Sequence, residues 1–263
     1  MHRCAVSLLA VIALSAFPLS GQTRPGPQPP PSNPNPPRPM SSGGAGGGNF
    51  YEWHWSLGAL SRRTPVITHA SYSADHIVEV PSPLRPGMTG VRQLTNERVY
   101  RDAEGRTRTE RYPPTMRPNG PKFPPLVEIH DPVAGVAYVL DMEAGVAHRV
   151  EMDPTPTRAA PPQLVQGSGG EDLGDQVIEG LVVHGTRRII SPPVAPLTQV
   201  TESWYSPDLR LDILIKTTTT AETTQKYVNI SRDEPSPLLF QPPADFRIVD
   251  ETGAGVSVSY AAQ

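Results

Sequence analysis

The chain has 263 residues, with 23 Lys and Arg against 26 Asp and Glu and a formal net charge of -3. A balance this near neutral argues against nucleic acid as a partner and against non-specific membrane binding, both of which draw on a basic surplus. The one cysteine, Cys4, falls in a segment expected to be removed on export, so the mature chain is expected to form neither a disulfide nor a thiolate metal site.

Arg3 precedes an apolar run from Cys4 to Phe17, and small residues follow. That run is shorter than the roughly 20 residues a bilayer span needs. A charged start, a short apolar centre and a small-residue end predict a signal peptide over 1–21, cleaved near Gly21. Gln22 stands where a lipobox would need cysteine, so no lipid attachment is expected. The mature protein is then exported, periplasmic or extracellular, with no stable membrane span. Residues 22–49 are rich in proline first and glycine and serine second. They lack apolar residues to bury and predict a disordered linker.

From 50 to 250 the pattern predicts a single antiparallel β domain. It begins at Phe50-Tyr51-Glu52-Trp53-His54-Trp55, which reads either as a first strand packing its rings inward or as an exposed aromatic surface. Ile77 to Val80 reads as a strand closed by Pro81 and Pro83. Val91 to Tyr100 and Arg106 to Tyr112 flank a turn at Asp102-Ala103-Glu104-Gly105. Leu126 to Asp131, Val136 to Asp141 and Val146 to Val150 form a meander with turns ending in Gly135 and Gly145. Residues 153–170 read as a polar loop. Gln176 to Ile178 turns at Glu179-Gly180 into Leu181 to Ile190. Val200 to Tyr205 turns at 206–208 into Leu209 to Thr219, where Leu209, Leu211, Ile213 and Ile215 share a face. A further turn at 221–224 leads into Gln225 to Arg232, one helical turn is expected near Leu238 to Gln241, and 251–263 reads as a tail that either adds one edge strand or frays. Together these predict a mainly β fold: a large curved antiparallel sheet, a half-barrel or open barrel of hairpins with little helix.

The chemistry-bearing residues do not form a familiar constellation. The histidines show no metal-ligand spacing, and there is no G-x-S-x-G elbow or phosphate loop, so no metal, cofactor or catalytic residue is assigned. Asp102 and Glu104 read as surface turn carboxylates rather than calcium ligands, each worth under about 1 kcal/mol. Arg101, Arg106, Arg108 and Arg111, with Glu104 and Glu110 among them, read as a solvated face of mixed charge.

Three segments occur together: Val99 to Arg108, Ile129 to Asp141, and Ile178-Glu179-Gly180 through Trp204-Tyr205-Ser206-Pro207 to Pro237-Leu238-Leu239-Phe240 and Phe246. In this combination the chain resembles a group of uncharacterised secreted bacterial proteins. More distantly it resembles the half-barrel domains of the lipoprotein carriers LolA and LolB and of RseB. That resemblance covers about Val91 to Val249 and implies a curved sheet that cups an apolar cavity. The chain departs from those carriers in having almost no helix to close such a cavity.

The expected function is a non-catalytic exported binding or scaffold domain for an apolar or lipid-like ligand. Tyr51, Trp53, Trp55, Tyr138 and Trp204 are the candidate ligand-binding residues, because aromatic rings bury large area at little rotamer cost. An envelope protein-interaction module and a hydrolase with an unrecognised site are the alternatives. A wide apolar cavity, an exposed flat patch and a polar cleft with perturbed groups would distinguish the three.

Overall fold

A computed structural model describes residues 50–62, 65–85, 88–112, 123–154, 170–190 and 198–261. The signal-peptide and linker readings and nearly all of the 153–170 loop lie outside the described residues. No described helix is long and apolar enough to cross a membrane.

The fold is mainly β. Strands β1 (Phe50–Ser56) and β14 (Gly255–Ala261) form a two-stranded antiparallel ribbon. The other strands are β2 (Tyr72–Arg85), β3 (Met88–Arg101), β4 (Thr107–Arg111), β5 (Leu126–Asp131), β6 (Val136–Asp141) and β7 (Val146–Glu151). They continue with β8 (Glu171–Ile178), β9 (Leu181–Ile190), β10 (Gln199–Ser206), β11 (Leu211–Thr218), β12 (Glu222–Ser231) and β13 (Arg247–Asp250). These twelve make one sheet in the order β13-β7-β6-β5-β4-β3-β2-β12-β11-β10-β9-β8. Every pairing in it is antiparallel except β13 on β7. The end strands β13 and β8 do not pair with each other, so the sheet is open, as expected for a half-barrel.

Local chemistry builds the β5–β7 meander. Asp131 accepts from the backbone N–H groups of Val133 and Ala134, and Asp141 does the same for Glu143 and Ala144. Gly135 and Gly145 then take φ of 71° and 62°. That conformation is costly for other residues, and the side-chain carboxylate supplies the turn bond.

Three expectations need correction. Pro81 and Pro83 do not close β2, which runs on to Arg85. Beyond Glu79 it pairs with β3 alone, so a missing proline N–H on the open side costs no ladder bond. Leu209 lies in the β10–β11 turn rather than in a strand, yet it is buried. Residues 222–224 belong to β12 rather than to a turn. Of the two readings of the tail, the structure has the strand: it contains β14, whose Val256, Val258 and Tyr260 are all buried.

The apolar residues collect in three clusters. In the first, Trp53, Trp55, Val256, Val258 and Tyr260 of the ribbon pack on Leu126, Val139 and Val150. Leu60 joins them from a four-residue helix α1 (Leu57–Leu60), which is capped by the Ser56 hydroxyl accepting from Ala59 N. In the third, Phe240 from a 3-10 turn (Pro237–Phe240), with Leu239 and Phe246, packs on Val127, Ile129, Leu140 and Ala147. Leu126 and Val127 are neighbours on one strand and point to opposite faces. Strands β5 to β7 are therefore covered on both sides. The second cluster differs. Tyr72, Ala74, Leu181, Val183, Leu209 and Ile213, with Val99, Ile178, Trp204, Leu211, Tyr227 and Ile230 partly buried against them, all belong to the sheet and its β10–β11 turn.

Candidate functional site

The second cluster is the candidate site, because it is built from the sheet and its β10–β11 turn and, around a buried centre, leaves the Trp204 and Tyr227 rings only half-buried. Its central aromatic residue is Trp204 on β10, beside a register shift between Trp204 and Tyr205. Gly185 lies opposite on β9. A Cβ on Gly185 would sit 2.4 Å from the Trp204 ring, so the ring rests against bare backbone that only glycine leaves open.

A polar and aromatic seam runs from this cluster toward the first. Tyr227 of β12 meets Tyr72 edge-on at 6.3 Å and stacks on His76 at 4.7 Å. His76 Nδ1 is 3.0 Å from Glu97 Oε2, and Arg111 Nε donates to Glu97 Oε1 at 2.6 Å. The Arg111 guanidinium then lies 5.5 Å from the Trp53 ring centre. Cross-strand register brings these groups together: Tyr227 opposes His76, His76 opposes Glu97, and Glu97 opposes Arg111.

Burial pushes the Tyr72 and Tyr227 phenols above their ordinary value. Burial also acts first on Glu97 and pushes it up, but the hydrogen bond with His76 and the charge and hydrogen bond of Arg111 outweigh it. Glu97 therefore ends below the usual carboxylate range. Glu128 is lowered in the same way: burial raises it, and the His130 hydrogen bond and charge, the Arg111 charge and the Trp55 Nε1 donor at 2.9 Å outweigh that. Asp212 on β11 behaves in the opposite sense, raised by burial alone. Seam and cluster together form a largely buried apolar and aromatic patch edged by paired charges.

The sequence-predicted residues fall in different places. Trp53 and Trp55 come together but are buried in the first cluster, under the ribbon to which they belong. Trp53 Nε1 is buried without a hydrogen-bond partner. Tyr51 opposes Tyr260 in that ribbon. Tyr138 is half-buried against the third cluster. Trp204 alone belongs to the second. Tyr227, His76 and Glu97 were not singled out from the sequence, because their partners lie on other strands. The available signal was alternation: Tyr72, Ala74 and His76, like Glu97, Val99 and Arg101, are spaced by two.

Asp102 also departs from expectation. Gly105 takes φ of 85° as a turn requires, but the Asp102 side chain is 1% exposed. It accepts from Glu104 N and Arg106 N and pairs with Arg106 Nε at 2.5 Å. It is a buried hub that fixes the β3–β4 connection, not a surface carboxylate.

No protein-family model matches the sequence, and no curated protein does. Among solved structures, the chain is similar to a crystal structure of a DUF1329 family protein from Desulfovibrio piger. The two are 11% identical, and the match spans 66% of this chain and 90% of that one with a TM-score of 0.18. This is a weak likeness of fold.

Proposed function

We propose that the protein is an exported, non-catalytic binding or scaffold domain that takes an apolar or lipid-like molecule at the half-buried rings of Trp204 and Tyr227. The observation that carries this is the different construction of the three clusters. The first is packed by the ribbon and the third by the 3-10 turn, whereas the second comes from the sheet and its β10–β11 turn alone and has two half-buried aromatic rings beside it. Aromatic rings among apolar neighbours are a common lining of ligand sites. Export is supported by the signal-peptide pattern of residues 1–21. Trp204 stands as the principal ligand-binding residue. Trp53 and Trp55 are better explained as core.

A neutral environment-sensitive dye tests this. Nile red fluorescence should rise on binding the purified protein and fall in Trp204→Ala while the circular dichroism of the fold persists. Absence of any signal from the wild type, or an unchanged signal in Trp204→Ala, would remove the reading. The interaction-module alternative would then lead, since Val177 and Val182 face each other exposed at the β8 edge.

A further inference from the structure

Strand β8 ends the sheet: it pairs with β9, and its other edge pairs with no strand among the described residues. Glu179 and Gly180, with φ of 50° and 74°, join β8 to β9 in a two-residue turn of type I′. Such a turn makes Ile178 and Leu181 a hydrogen-bonded pair, and bonded and non-bonded pairs alternate along an antiparallel ladder. Gln176 therefore bonds to β9, whereas Val177 and Asp175 turn their N–H and C=O groups toward the open edge. An edge of this kind is a template for another strand.

The side chains beside those groups narrow what can pair there. Val177 and Val182 are cross-strand partners, 69% and 58% exposed, on the face opposite Leu181 and Val183. Asp175 shares the face of Val177, two residues away. Three carboxylates lie on β8, at Glu171, Asp172 and Asp175, and the strand has no Lys or Arg. Arg187 meets Glu171. Asp172 and Asp175 pair among the described residues with His184, which is charged only when protonated, and both carboxylates stay largely exposed. A second β8 laid against the first would set two strands bearing only negative charge side by side, a device that discourages self-association. The same charges attract a basic strand.

From this juxtaposition we infer that the β8 edge receives an extended, basic segment of a protein partner as an added antiparallel strand. A lysine or arginine of that segment lies beside Asp175, and an apolar residue two positions away lies over Val177 and Val182. Backbone bonds to Asp175 and Val177 supply affinity, and the alternating side chains supply selection. This site is separate from the Trp204 and Tyr227 rings and does not depend on them.

Fluorescence anisotropy of the full chain with a labelled Lys-Thr-Val-Thr-Lys-Thr-Val-Thr peptide tests this. Two control peptides carry glutamate in place of lysine, or N-methyl groups on the lysine and valine amides that would face β8. The lysine peptide should bind at least about tenfold more tightly than either control, the equivalent of one or two net hydrogen bonds. Val177→Pro removes an outward N–H and leaves the β9 ladder intact, and it should weaken binding about tenfold. Asp175→Asn should narrow the preference over the glutamate peptide. The methylated peptide is read on the wild type, so the test holds even if Val177→Pro does not fold. No binding of the lysine peptide, equal affinity for the methylated one, or an affinity unchanged by Val177→Pro overturns the inference. A concentration-dependent dimer in sedimentation that Val177→Pro abolishes would assign the edge to a second copy and overturn it as well.

Discussion

Two regions of one sheet treat similar strands differently. In β5 to β7 the strands alternate like any others, yet both faces are buried: Leu126 and Val139 under the ribbon, Val127 and Leu140 under Phe240. In β9 the alternation is one-sided. Leu181 and Val183 are buried, whereas Val182 between them is 58% exposed. Antiparallel sheets tolerate one solvated face, and the difference shows that cover is a property of what folds over a strand rather than of the strand.

The sharpest way to break this comparison is core truncation. Phe240→Ala, under the third cluster, is expected to cost about 3–5 kcal/mol in urea unfolding, as large-to-small changes in tight cores do. Trp204→Ala should cost less than half of that, because its ring is only partly buried. Equal losses would mean that the second cluster is as closed as the third.

The next effect concerns Asp102. Asp102→Ala should cost about 3 kcal/mol, since it leaves two backbone donors and Arg106 without their buried acceptor. Glu104→Ala, 58% exposed in the same turn, should cost under about 1 kcal/mol. Similar small values for both would return Asp102 to the surface role its turn sequence suggests.

Acid sharpens the contrast between the seam and β11. Glu97 and Glu128 have folded pKa values held below 4.5, so they contribute stability above that value and lose it as pH falls through the folded values. The melting temperature of the wild type should therefore drop on acidification below pH 4.5, and the Glu97→Gln, Glu128→Gln double variant should show a shallower drop. A drop of undiminished slope would place the acid sensitivity elsewhere.

The smallest expected effect has the opposite sign. The raised pKa of Asp212 means that the folded state favours its neutral form, so its stabilising contribution is present below 3.8 and lost as pH rises through the folded value. Asp212→Asn should accordingly raise the melting temperature at pH 7 and leave it unchanged at pH 3. A lower melting temperature at pH 7 would show that the carboxylate has a partner on this face.

Much of the fold was legible because it is local. The Asp131 and Asp141 turns, the Glu179-Gly180 hairpin and the one helical turn near Phe240 each follow from a few adjacent residues, and hairpin order follows from short connections. The candidate site was legible in one residue, Trp204. The seam of Tyr227, His76, Glu97 and Arg111 was not, because each contact joins residues on different strands, where a shift of one position reverses the faces.

The sequence by itself determined that this chain is a mainly β protein of short hairpins, because alternation and turn chemistry act within a few residues of each other. Only the tertiary structure decided that the C-terminal segment pairs with the first strand, that Trp53 and Trp55 lie beneath that ribbon, and that Asp102 is buried. Those outcomes depend on contacts between residues far apart in the chain, such as Tyr51 with Tyr260. An apolar side chain records a preference for cover, and the partner that supplies it is chosen by the packing of the whole sheet.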